Sequence, residues 1–295
     1  MGTHVERHRD DQRKEWLITI MQQYEDAINQ HYGPGNLETS VLAALQATGK
    51  NAEQLTLDDL APLDQFHTAG KRATLELMHL AALHAGLEVL DVGGGLGGPA
   101  RLMAAEKGCR VTVLDLTEEY CQVGEMLTAH TKLSDYVSFQ QGSALDMPFP
   151  KARFDVVWTQ HSSMNIADKA LLFAEAHRVL RPGGRLALHE IMAGPVQPVR
   201  FPVPWARDST LSFLSNPEEI STLLINTGFK KVSWIDTTPA SITWYQQRSA
   251  PQESETAPIG LHLLLGSDFS EMFRNQIRNV QERRIAVIQA VFEQD

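Results

Sequence analysis

Apolar residues recur at helical spacing from the start of the chain. Trp16, Ile20, Tyr24, Ala27, Ile28 and His31 make one stripe between Asp11 and His31, which predicts an amphipathic helix. Tyr32-Gly33-Pro34-Gly35 ends it, because glycine and proline supply turn geometry and stop helix hydrogen bonding. A short helix from about Glu38 to Ala47 closes at Gly49. Thr56 and Asp59 have the spacing of a capping box, and a helix from about Gly70 to His84 turns Leu75, Met78 and Leu83 inward. From Leu87 the period changes to short apolar runs separated by helical stretches, as a parallel sheet buried on both faces requires. Strands are predicted at Leu87 to Val92, Val111 to Leu116, Val137 to Gln141, Phe154 to Thr159 and Arg185 to Ile191. Phe229 to Ile235 and Ser241 to Tyr245 read as a hairpin joined by Thr237-Thr238-Pro239-Ala240. Ala250 to Pro258 reads as a polar loop, and Ser267 to Phe292 as a terminal helix.

The fold class is therefore α/β: a doubly wound, Rossmann-like sheet of seven strands, the last antiparallel, with a helical N-terminal cap and a C-terminal helix. The expected organisation is a cap or lid over residues 1–85, a core over 86–248 with an insertion at 192–214, and a loop with a helix over 249–295. Pro195, Pro198, Pro202 and Pro204 give the insertion a fixed shape.

With 295 residues, 43% hydrophobic and 21% charged, the chain can bury one large core. A formal net charge of -10 works against nucleic acid as a partner, since phosphate binding needs a basic face. The two cysteines, Cys109 and Cys121, cannot form a framework of several disulfides, and no Cys/His spacing suits a metal. Met1 to Glu15 is too polar for a signal peptide, and no apolar run has the length of a membrane span. The expectation is a soluble, cytoplasmic protein without membrane insertion, whose oligomeric state is open, a homodimer included.

The strongest local signal is Asp91-Val92-Gly93-Gly94-Gly95-Leu96-Gly97-Gly98, placed after an apolar strand and before a helix. Such a loop lets backbone approach a ligand closely. Gly93, Gly95 and Gly98 satisfy GxGxxG, and Asp115 follows at the end of the second strand, where a carboxylate accepts from ribose hydroxyls. This layout serves NAD and S-adenosylmethionine (SAM) alike. Asp91 favours SAM, because a carboxylate beside the loop suits a ligand with a cationic ammonium and sulfonium rather than a pyrophosphate. An NAD(P)-dependent oxidoreductase and a non-catalytic SAM-binding protein are the competing readings.

At these residues the chain resembles class I SAM-dependent methyltransferases. Gly97-Gly98-Pro99-Ala100-Arg101 looks like the glycine-motif variant of sarcosine/dimethylglycine, tocopherol and sterol methyltransferases. Gly142-Ser143 with Met147-Pro148-Phe149 resembles the adenine loop after strand three. Phe154 to Gln160 resembles strand four, and Leu180-Arg181-Pro182-Gly183-Gly184 the turn into strand five. The closest likeness is to the sarcosine/dimethylglycine group, although Thr159-Gln160-His161 stands where that group resembles Ser-Gln-Asp, which leaves the acceptor unnamed. The resemblance implies SAM as cofactor, S-adenosylhomocysteine as product and a small-molecule acceptor, an amine, hydroxyl, thiol or carbon nucleophile, attacked in line. It implies cofactor contacts from Asp91, Gly93, Gly95, Gly97, Asp115, Leu116, Ser143, Ala144, Gln160 and Gln65.

In an open α/β sheet the ligand lies beyond the carboxyl ends of the strands. His161 leaves strand four there and is the leading candidate base, joined by His67 before the helix into strand one. Glu190 is the third candidate; it and His189 face opposite sides of a regular strand, so at most one serves the site. Tyr24, Trp205 and Trp244 are candidate acceptor contacts, as aromatic rings that attract a sulfonium or quaternary ammonium.

Overall fold

Every apolar run predicted between Leu87 and Ile191 is a strand in the computed structural model, which describes residues 22–33, 35–50, 55–248 and 258–295. Helix α1 (22–32) is followed by α2 (Leu37–Ala47), α3 (Leu57–Asp64) and α4 (Gly70–Leu80). The alternating part runs β1 (Glu88–Val92), α5 (Gly98–Lys107), β2 (Arg110–Asp115), α6 (Glu118–His130), β3 (Val137–Gln141), β4 (Phe154–Gln160), α7 (Lys169–Val179), β5 (Leu180–Ala193), α8 (Pro217–Asn226) and β6 (Phe229–Asp236). The chain then makes α9 (Thr238–Arg248), α10 (His262–Leu265) and α11 (Phe269–Gln281) before β7 (Ile285–Gln294). One seven-stranded sheet results, in the order β3-β2-β1-β4-β5-β7-β6, with β7 antiparallel to both neighbours.

Alternation along each strand feeds two cores. Leu90, Val157 and Leu188 point to one face, Val89, Val156 and Ala187 to the other, and all six are buried. The capping box at Thr56 and Asp59 forms as expected at the start of α3. Behind α3, Asp64 meets the Arg101 guanidinium of α5 at 2.7 Å, with neither side chain reaching solvent. Arg101 also donates to Thr128 Oγ1 and the Gly124 carbonyl, which ties α3 to α5 and α6.

Several expectations are corrected. Ser241 to Tyr245 is no strand but part of α9. Asp236 Oδ1 accepts from Thr238 N, Ser241 N donates to the Thr237 carbonyl, and buried Ser241 and Tyr245 lie four residues apart, a helical period. The sheet's seventh strand lies instead within the expected terminal helix: α11 stops at Gln281, Arg283 turns the chain with φ of 57°, and Ile285-Ala286-Val287-Ile288 begins β7. That run is β-branched and buried on both faces, the composition of a central strand. The core accordingly does not end at residue 248, since β7 lies between β5 and β6. Leu75 is 38% exposed rather than inward, because Ala73, Thr74, Leu77 and Met78 set the buried face of α4. Trp16, Ile20 and the loop expected up to Pro258 lie outside the described residues, apart from Pro258 itself. Among the described residues no helix is long and apolar enough to cross a membrane.

Candidate active site

A cavity of about 1680 Å³ opens beyond the carboxyl ends of β1, β2 and β4. At its floor the chain leaves β1 through Gly93 and Gly95, both in the left-handed region with φ of 68° and 55°. The loop is held by Asp115 at the end of β2, whose two oxygens accept from Gly95 N at 2.8 Å and from Thr117 N at 2.9 Å. Each oxygen of an ionised carboxylate has a further lone pair, so Asp115 keeps acceptor capacity toward the cavity it lines. Burial pushes its pKa up, and the backbone donors pull against that rise. Asp91, one strand away, is 1% exposed, and its Oδ2 has no hydrogen-bond partner. Burial, and then the nearby Asp115, lift the Asp91 carboxyl to about 8.

Leu116, Ser143 and Ala144, after β2 and β3, line the cavity, as does Gln65 from the turn after α3. Gln160 lines it too, with its amide engaged: Oε1 accepts from Trp158 Nε1 at 2.9 Å and Nε2 contacts His189 Nδ1 at 3.3 Å. Gly97, expected to touch the cofactor, does not line the cavity. It is the left-handed residue capping α5, where an added Cβ would lie 2.6 Å from the Phe139 ring.

Three histidines meet at the end of β4. The His161 ring lies 4.8 Å from His189 and 6.1 Å from His67, centroid to centroid. His161 and His67 line the cavity, whereas His189 lies behind them, 1% exposed. Burial lowers all three pKa values, that of His67 to about 4, and at His161 the two neighbouring imidazoles lower it further. Their neutral rings keep unsatisfied atoms, Nε2 of His161 and Nδ1 of His67. His161 also adopts φ of 49°, a conformation uncommon outside glycine. Among the described residues no group of three or more His, Cys, Asp or Glu is arranged to hold a metal.

Glu190, expected as a catalytic acid or base, does not line the cavity. Its carboxylate accepts from Thr159 Oγ1 at 2.6 Å, Ser162 N at 3.4 Å and Ser163 N at 3.2 Å, and so fixes the loop that carries His161. Tyr24, Trp205 and Trp244 all line the cavity, on three separate segments. Trp205 is 1% exposed and donates Nε1 to Ser212 Oγ, so it packs as a wall residue. Helix α1 closes another side: Tyr32 OH donates to Asn165 Oδ1 at 2.9 Å, and His31 Nε2 lies 3.1 Å from the Pro204 carbonyl.

Apart from Trp244 on α9, the wall formed by α9 to α11 was missed by sequence reasoning. Phe269, Phe273, Arg274, Ile277 and Arg278 line the cavity although they fall in the stretch expected as a terminal helix outside the core. The signal was present in the four-residue spacing of Phe269, Phe273 and Ile277, which gives a helix one apolar stripe to bury.

Comparison with known proteins places the same region. Residues 90–188, from β1 into β5, match the family model described as a methyltransferase domain. The chain is 36% identical over 138 residues to 27-O-demethylrifamycin SV methyltransferase of Amycolatopsis mediterranei, covering 47% of this chain and 50% of that protein. It is 28% identical over 169 residues to sarcosine/dimethylglycine N-methyltransferase of Halorhodospira halochloris, covering 57% and 61%. The chain thus spans about half the length of the first curated relatives it matches. Geranyl diphosphate C-methyltransferase of Streptomyces coelicolor A3(2), solved with Mg2+, geranyl-S-thiolodiphosphate and S-adenosyl-L-homocysteine, shares the fold with a TM-score of 0.68 at 17% identity, covering 92% of this chain and 98% of that one. The resemblance to class I methyltransferases holds, and the cofactor it implies is SAM.

Proposed function

From a methyltransferase domain carried over residues 90–188 on a class I sheet, we propose that the protein transfers the methyl group of SAM to a small organic acceptor. The observation that carries this reading is the pair of carboxylates at the ends of β1 and β2. Asp115 has free acceptor capacity where the backbone curves round it, which suits the two hydroxyls of a ribose. Asp91 has a buried oxygen without a partner, and an α-ammonium, directly or through one water, would satisfy it. A dinucleotide would bring its pyrophosphate to the same loop and meet a second carboxylate there, so the pair disfavours NAD(P). Leu116, Ser143 and Ala144 line the cavity after β2 and β3 and would take the adenine, while Gln65 and Gln160 line it from the turn after α3 and the end of β4.

Bound SAM supplies a methyl carbon made electrophilic by its sulfonium. The protein's part is to align acceptor and methyl and to keep water out. His161 is the acceptor's proton acceptor: its imidazole is neutral, faces the cavity and has one ring nitrogen unpartnered. His67 stands beside it as an alternative site for that proton. Glu190 is a positioning residue, holding Ser162 and Ser163 so that His161 keeps its place. Helices α1, α3 and α4 cap the site, and Tyr24, Trp205 and Trp244 bound the acceptor space. The free, buried thiols of Cys109 and Cys121 suit a reducing compartment.

Titration calorimetry tests the cofactor. S-adenosylhomocysteine should bind and NADH should not. Asp115→Ala should weaken S-adenosylhomocysteine binding by at least about tenfold, because charge-assisted bonds to hydroxyls are lost. An unchanged affinity in a folded variant overturns the ribose assignment. A radiolabelled-methyl screen over amines, phenols, thiols and isoprenoids then identifies the acceptor class.

A further inference from the structure

We infer that the methyl acceptor is an amphipathic anion, an apolar body bearing a carboxylate or phosphate that Arg274 and Arg278 hold. The inference rests on the proposed methyl transfer for the word acceptor, and on α11 for the chemistry. Along this helix Phe269, Phe273 and Ile277 lie four residues apart, and Arg274 and Arg278 form a second row one position on; all five line the cavity. One wall therefore offers an apolar stripe with a cationic stripe beside it.

The cations of this cavity differ in what they are doing. Lys71 is paired with Asp58 at 2.7 Å and Arg72 with Glu76 at 3.6 Å. The side chains of Arg274 and Arg278 make no ion pair or hydrogen bond among the described residues, in a chain whose net charge of -10 supplies acids in excess. The acids of the cavity are accounted for in the other direction: Asp58 by Lys71, Asp64 by Arg101, and Asp91 and Asp115 at the glycine loop. Among the described acids that line the cavity away from the glycine loop, Glu25 on α1 alone has no such partner. Two guanidiniums one helical turn apart can take a carboxylate or phosphate between them, each through a planar fork of donors. The apolar part of the same molecule would lie along Phe273 and Ile277, toward Trp244.

The test uses the full chain with saturating S-adenosylhomocysteine and three probes of equal chain length: decanoate, decyl phosphate and decanol. Tryptophan fluorescence reads binding at low salt. The wild type should bind both anions about tenfold more tightly than decanol, and Arg274→Gln/Arg278→Gln should remove that preference while leaving S-adenosylhomocysteine affinity unchanged. Either order of decanoate and decyl phosphate supports the inference and tells which head group the site prefers. Equal binding of decanol and the anions to the wild type overturns it, as does a double variant that keeps the preference. If the arginines instead latch onto Glu25, the double variant and Glu25→Gln will weaken decanol and decanoate alike, and the inference fails. Because S-adenosylhomocysteine binding is measured separately, loss of that binding in the wild type refutes the methyltransferase reading, not this one.

Discussion

Asp91 is 1% exposed with an unpartnered oxygen, and its carboxyl is lifted to about 8, so at neutral pH it is mostly protonated before ligand arrives. A cationic ammonium beside it would restore the charge, so cofactor binding near about pH 7 should release a proton. Calorimetry in two buffers of different ionisation enthalpy measures that release, which should fade above about pH 9; identical enthalpies in both buffers would remove Asp91 from the binding site. The linkage sign is that of a raised carboxylate. The free protein's stability is fully present below the ordinary carboxylate range and declines as pH rises toward about 8, so Asp91→Asn should raise the Tm of the free protein at about pH 9. The histidines set the other limb. With His67 lowered to about 4 and His161 well below its ordinary value, both are neutral across the physiological range. The acid limb of kcat/KM should therefore fall well below the usual imidazole pKa, and His161→Gln should lower kcat about a hundredfold with S-adenosylhomocysteine affinity kept. Asp115, Gly93 and Gly95 were legible as cavity residues because a strand, a tight loop and a terminal acid are local in sequence, whereas Gly97 serves the cap of α5. Glu190 was not, since strand parity says that it and His189 face opposite sides without saying which side holds the ligand. An added Cβ at Gly95 would meet only Tyr120, at 3.8 Å, so a substitution such as Gly95→Val would act through the φ of 55° rather than through a clash within the protein.

Helices before the sheet fall into two kinds. Helix α3 is fastened to the core through the buried Asp64–Arg101 pair, and Asp64→Ala would leave a guanidinium buried without its carboxylate. Loss of about 3 to 5 kcal/mol in urea denaturation is expected, the cost of breaking a buried pair on one side. Helix α1 is held by contacts at its end, Tyr32 to Asn165 and His31 to the Pro204 carbonyl, and by an edge contact of Tyr24 on Phe213. Deleting residues 1–32 should reduce turnover far more than Tm, and hydrogen exchange over 22–32 should slow when S-adenosylhomocysteine is added. Full turnover without the segment would make it scaffold. The five parallel strands were readable within a residue or two at most ends because each is a closed apolar run between turns. The far end was misread for an equally physical reason: α11 and β7 are joined by only three residues, Glu282 to Arg284, so an amphipathic helix runs into a mostly apolar strand with too short a break to mark the change of period. The hairpin failed because Thr and Trp favour strands, whereas Asp236 and Pro239 start a helix there.

Across the whole molecule the sheet order divides the cavity's tasks. Strands β3, β2 and β1 carry the glycine loop and its two acids, while β4 and the excursion between β6 and β7 carry His161 and the aromatic and cationic wall. The family match covers the first half of this arrangement together with β4 and His161, and stops within β5. The excursion that follows is where relatives of this fold can differ in acceptor without disturbing the cofactor half. The position of β7 has a consequence for how the protein is made. It is the last strand in the chain, yet it is central in the sheet, pairing along nine residues with β5 and along seven with β6. On the ribosome, β1 to β5 can assemble as they emerge, but β6 has no hydrogen-bonded neighbour until residues 285–294 follow it out. The edge of β5 stays open through the synthesis of about ninety further residues, at roughly 5 to 20 residues per second. A nascent chain stalled after Gln281 should therefore be far more sensitive to protease than one stalled beyond residue 294, and should show the steep gain in resistance only when β7 has cleared the exit tunnel.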